Sequence, residues 1–102
     1  MEGALNALLQ ALQSYQPERI ILFGSTARGE ADADSDLDVL VIKDTPEPFV
    51  KRLELMAELC PLSVHADILV YTPSELKCMI EDGNPFILRA LEEGRVIYEA
   101  RS

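Results

Sequence analysis

An apolar run, Ile20 to Phe23, breaks at Gly24-Ser25, and after a ten-residue spacer a second run opens on Asp36-Leu37-Asp38. Residues two apart along a strand share a face, so Asp36 and Asp38 stand side by side if this segment is extended. Two carboxylates about 5–7 Å apart repel by a few kcal/mol even at an effective dielectric near 20. A cation between them removes that cost. Asp is also disfavoured in strands, yet Asp38 is followed directly by the aliphatic run Val39 to Ile42. An exposed acidic pair at a strand start is the plainer alternative, and it accounts for this placement less well than a divalent-cation site.

Asp67 interrupts a further apolar run, Val64 to Val70. Taken alone it reads equally as a buried Asp satisfied by backbone N–H groups. With Asp36 and Asp38 on a neighbouring strand, a cluster of three carboxylates becomes the more economical explanation. Such a cluster suits two Mg²⁺ ions, which keep several waters and bind substrate phosphates. Gly24 allows a sharp turn with close backbone approach, and the N–H groups that follow, at a helix start, favour phosphate oxygens. Ser25 adds a hydroxyl donor. Arg28 reads as a phosphate contact or as an ordinary surface ion pair. His65, the only histidine, reads as strand packing or rim polarity.

The elements that must position these groups follow from periodicity. Leu5, Leu8, Leu9, Leu12 and Tyr15 recur at helical spacing over 4–15, and Pro17 ends that helix. Strands are expected at 19–23, 36–42, 64–70 and 95–99. Residues 24–30 read as a turn leading into a short helix, and 31–35 as a loop. A helix over 46–60 would bury Phe49, Leu53, Met56 and Cys60. Thr72-Pro73-Ser74-Glu75 has the spacing of a capping box with Pro in the first turn, starting a helix that runs to Glu81. Another helix spans 85–93, with Gly94 as its stop. This order argues α/β or α+β, with a small sheet covered mainly on one face.

The bulk composition narrows the function classes. The 102 residues suit one domain, 1–102. The start lacks a basic n-region, and no apolar stretch approaches the roughly 18–20 residues that span a bilayer. A cytoplasmic protein is expected, with Cys60 and Cys78 as reduced thiols. The net charge is −9 and no basic cluster exceeds Lys51-Arg52, so nonspecific nucleic-acid binding is not expected. The acidity suits metal ions or a basic protein partner.

Together, Gly24-Ser25-Thr26-Ala27-Arg28-Gly29-Glu30, the spacer and Ser35-Asp36-Leu37-Asp38-Val39-Leu40-Val41 resemble the DNA polymerase beta-like nucleotidyltransferase superfamily. The resemblance is to its small branch, the minimal nucleotidyltransferases of the MNT antitoxin type, and covers nearly the whole chain. It implies a mixed sheet flanked by helices, with Gly24 and Ser25 on the triphosphate. It also implies Asp36 and Asp38 on both metals and Asp67 as the third carboxylate. The implied reaction transfers AMP from ATP to a hydroxyl. The implied partner is a HEPN-domain toxin, adenylated on tyrosine, in a type VII-like toxin–antitoxin pair. An antitoxin that neutralises the toxin by binding alone is the alternative. Larger relatives carry a second domain that helps hold the base and acceptor. No such second domain is expected within these 102 residues.

Overall fold

The computed structural model describes residues 2–24 and 37–100. Ser25, Arg28 and Asp36, together with the expected short helix, lie outside the described residues. The chain runs α1 (Glu2–Gln13), β1 (Arg19–Phe23), β2 (Leu37–Ile42), α2 (Phe49–Leu59), β3 (Ala66–Tyr71), α3 (Pro73–Glu81), α4 (Pro85–Glu93) and β4 (Arg95–Glu99). The four strands form one sheet in the order β3-β2-β1-β4. β1 lies antiparallel to β2 and to β4, while β2 and β3 are parallel. The parallel pair is joined across α2, the crossover such a pair requires.

Alternation along the strands sends side chains to two cores. Ile20, Leu22, Leu37, Val39, Val41, Ile68 and Val70 pack with Leu8 and Leu12 of α1 and Met56 of α2. The opposite face carries a smaller cluster, Ile21, Leu40, Ile42 and Ile87, against which Leu76 and Met79 of α3 and Leu91 of α4 pack. The sheet is therefore covered on both faces, where the sequence reading expected one main cover. Burial of the even-numbered residues Leu40 and Ile42 requires the second layer, because they face away from Val39 and Val41.

Local signals set the helix ends. The Thr72 hydroxyl accepts from Glu75 N–H, and the Glu75 carboxylate accepts from Thr72 N–H, completing the expected box. Asn84 accepts from Ile87 N–H at the start of α4. Helix α1 stops at Gln13, short of Tyr15, and Gln16 takes a positive φ of 57° immediately before Pro17.

The buried stripe of α2 differs from expectation. Leu53 is exposed, and the residue buried beside Met56 is Arg52. Arg52 Nε donates to Glu47 O at 2.8 Å and Nη1 to Val70 O at 3.2 Å. Its two terminal nitrogens grip both Glu75 oxygens, at 2.6 and 3.1 Å. Every donor direction the fork uses is thus matched by an acceptor, which is what lets a guanidinium sit in a core. The expected strand at 64–70 is shifted too: β3 begins at Ala66, and His65 precedes it, exposed.

Candidate active site

The register of the parallel pair places Asp38 directly beside Asp67. Neighbouring strands lie about 4.8 Å apart, and register partners in a sheet project to the same face. Leu37 N–H donates to His65 O at 2.9 Å, which locks the pairing at this end. On the other side of β2, Phe23 is the partner of Asp38. Asp38 is half-buried and Asp67 exposed, so the pair grades from the sheet interior toward solvent.

Gly24 follows Phe23 with a φ of 75°. A Cβ there would overlap Oδ2 of Asp38 and stand only 3.2 Å from its carboxyl carbon. The glycine is required twice, by the left-handed backbone and by the carboxylate packed against it. The end of β1 and the start of β2 thus bring a left-handed glycine and an acidic side chain close together.

Helix α4 walls this end of the sheet. Phe23 and Phe86 meet edge to face, with ring centroids 5.6 Å apart at 82°. A pocket of about 110 Å³ opens between Phe23, Gly24, Phe86, Arg89, Ala90 and Glu93. Gly94 lets β4 leave α4 against the sheet, since a Cβ at that position would lie 2.7 Å from Ile21 Cγ2. The sequence places Phe86 in the helix expected over 85–93 and assigns it no role. The helical spacing of Phe86, Arg89 and Ala90 was the available signal for a wall near Gly24, but nothing in it named the strand it would face.

Of the residues singled out from the sequence, the structure brings together Gly24, Asp38 and Asp67. Among the described residues no group of three or more metal-ligating side chains forms. The remaining expected carboxylate, Asp36, lies outside the described residues, as do Ser25 and Arg28. The donors present, two carboxylates on adjoining strands with a solvent-facing side, are the all-oxygen kind that Mg²⁺ takes while keeping waters. A larger cavity of about 710 Å³ lies at the far end of the sheet, lined by Glu18, Arg19, Ile42, Lys77 and Glu99 among others. It contains neither aspartate.

A family model for the nucleotidyltransferase domain matches residues 5–98. The chain belongs to the nucleotidyltransferase domain family. It is 34% identical over 100 residues to the putative protein adenylyltransferase MJ0604 of Methanocaldococcus jannaschii, covering 95% of this chain and 97% of the relative. A second protein of that organism, the putative protein adenylyltransferase MJ0141, is 36% identical over 53 residues, 52% of this chain and 54% of its own length.

Two solved structures share the nucleotidyltransferase fold. A toxin–antitoxin crystal structure with AMP-PNP superposes with a TM-score of 0.57 at 20% identity, over 94% of this chain and 73% of that one. A putative nucleotidyltransferase from Sulfolobus solfataricus superposes with a TM-score of 0.55 at 16% identity, over 94% and 86%. The chain is thus a minimal nucleotidyltransferase, a mixed sheet with helices on both faces. No helix among the described residues is long and apolar enough to cross a membrane.

Proposed function

We propose that this nucleotidyltransferase transfers AMP from ATP to a hydroxyl, that of a tyrosine, on a partner HEPN-domain toxin, and so acts as the antitoxin of the pair. The observation that carries the reading is the registered pair Asp38 and Asp67 beside Gly24, in a chain whose relatives include proteins named for protein adenylylation.

The roles divide by position. Gly24, Ser25 and Arg28 would hold the triphosphate, through backbone N–H groups, the serine hydroxyl and the guanidinium. Asp36, Asp38 and Asp67 would hold two Mg²⁺ ions. Bound there, Mg²⁺ would lower the pKa of the attacking hydroxyl and offset charge on the leaving pyrophosphate. Asp67, the more exposed carboxylate, faces the incoming acceptor and takes up its proton. The acceptor oxygen forms a bond to the α-phosphorus as the bond from that phosphorus to the bridging oxygen breaks, and pyrophosphate leaves. Orientation by the acidic pair is the chain's main contribution, because in-line displacement depends on positioning.

The test is intact-mass spectrometry of the partner toxin after incubation with this chain, ATP and Mg²⁺. Addition of AMP to a tyrosine is expected. Equal addition by the Asp36→Ala/Asp38→Ala double variant would remove the mechanism. Neutralisation by binding alone is the second reading, favoured by the net charge of −9 on so small a chain. It is separated by whether the double variant still relieves toxicity.

A further inference from the structure

Strand β3 is an edge of the sheet, and Asp67 is on it. Leu37 N–H donates to His65 O and Lys43 N–H to Tyr71 O, at 2.9 and 3.0 Å. The odd-numbered residues of β3 therefore turn their backbone groups toward β2. In a parallel ladder the intervening residues face the other way, so Ala66, Ile68 and Val70 present theirs at the outer edge. Arg52 Nη1 takes the Val70 carbonyl, which closes that end. Ala66 and Ile68 flank Asp67 and remain directed outward.

Alongside this edge runs a groove of about 190 Å³, lined by Leu53, Met56, Ala57 and Cys60 of α2 and by Ala66, Asp67, Ile68 and Leu69 of β3. Leu53 is 38% exposed, and Val50, three residues before it on the helix, is 67% exposed. An apolar lip thus stands beside a carboxylate and a strand edge that no other described strand pairs. The chain as a whole carries nine more negative than positive charges.

We propose that the β3 edge is the acceptor-docking surface: an extended, basic segment of the partner adds as a strand beside Ala66–Ile68 and sets its hydroxyl-bearing residue opposite Asp67. The inference rests on the adenylylation reading above, which it deepens by saying how the acceptor is presented. Main-chain hydrogen bonds give such an addition its affinity and alternate side chains its specificity. A residue opposite Asp67 projects to the Asp67 face, about 5 Å away. Its two neighbours project to the other face, toward Leu53, Met56 and Ala57. The preferred pattern is therefore apolar–hydroxyl–apolar, with Lys or Arg two residues from the hydroxyl, on the acidic face.

The experiment uses the full chain and a short synthetic peptide of the pattern Lys-Val-Tyr-Val-Lys, read by amide hydrogen exchange and by AMP incorporation with ATP and Mg²⁺. Slowed exchange at Ala66 and Ile68 on peptide addition is expected. Ala57→Lys, at an exposed position and with a good helix-forming residue, should weaken the peptide about tenfold while leaving melting temperature and ATP-linked stabilisation unchanged. No protection at millimolar peptide, or undiminished peptide binding by Ala57→Lys, overturns the docking surface. So does protection that appears without peptide and rises with chain concentration, which would make a second copy the occupant. Protection of both amides with no AMP incorporated would instead defeat the adenylylation reading and leave the docking surface standing.

Discussion

Gly24 and the Asp38 carboxylate are packed so closely that no side chain fits between them: a Cβ on residue 24 would overlap Oδ2 of Asp38. The turn and the acid therefore cannot vary independently. Gly24→Ala has two costs, a positive φ that L-residues resist and a displaced carboxylate. The backbone part is about 1 kcal/mol, and the displacement should lower AMP transfer by tenfold or more, on the order of what a misplaced reacting group costs. Gly83→Ala is the control. Residue 83 has a φ of 72° with open space around its would-be Cβ, so that variant should lose similar stability and keep full transfer. Equal activity in the two variants would show that the contact with Asp38 does not matter.

Arg52 ties α2, the end of β3 and the start of α3 together. Replacing it with Met would leave the carbonyls of Glu47 and Val70 without the guanidinium donor and the Glu75 carboxylate with only the Thr72 N–H. Loss of about 2–4 kcal/mol is expected, measured as a fall in urea midpoint with an unchanged slope. A loss within about 0.5 kcal/mol, the range of ordinary surface changes, would mean that water replaces the guanidinium without penalty.

The same contact sets a pH dependence. The Arg52 hydrogen bond holds the Glu75 carboxyl below its ordinary value of 4.5, against the opposing effect of burial. A carboxyl depressed on folding contributes stability that is complete above its unfolded pKa and lost as pH falls through the folded one. The wild-type chain should therefore lose stability as pH drops below about 4.5, through this group among others. Glu75→Gln keeps a side chain able to complete the capping box but cannot titrate. Its melting temperature should be lower at neutral pH and fall less steeply with acid. Parallel pH profiles for the two proteins would contradict the assignment.

What the sequence made legible was local. The period of two across Leu37 to Ile42 identified a strand and its two faces, and Thr72 with Glu75 marked the start of α3 within a residue. Asp67 was recognisable as an anomaly in an apolar run. Its register opposite Asp38 depends on how α2 crosses the sheet, and no spacing in the sequence encodes that. Arg52 was hidden for a related reason: beside Lys51 it reads as surface charge, and its acceptors come from residues 47, 70 and 75. The exposure of Leu53 follows from the same geometry, since α2 is rolled to bury the guanidinium.

The two site aspartates among the described residues, Asp38 and Asp67, should separate in their effects, because Asp38 is half-buried against Gly24 while Asp67 is exposed at the sheet edge. Asp38 adjoins the turn proposed to hold the triphosphate, so Asp38→Asn should abolish thermal stabilisation by ATP with Mg²⁺. A ligand at about 100 times its Kd stabilises by roughly 2.7 kcal/mol, a shift of several degrees for a domain of this size. Asp67 sits where the acceptor arrives, so Asp67→Asn should keep most of that shift and still lose AMP transfer by about a hundredfold, a typical contribution of a positioned proton acceptor. Chelating Mg²⁺ should reproduce the Asp38→Asn result in the wild-type chain. If Asp67→Asn instead loses the thermal shift and Asp38→Asn retains it, the division of roles along the β2–β3 register is reversed.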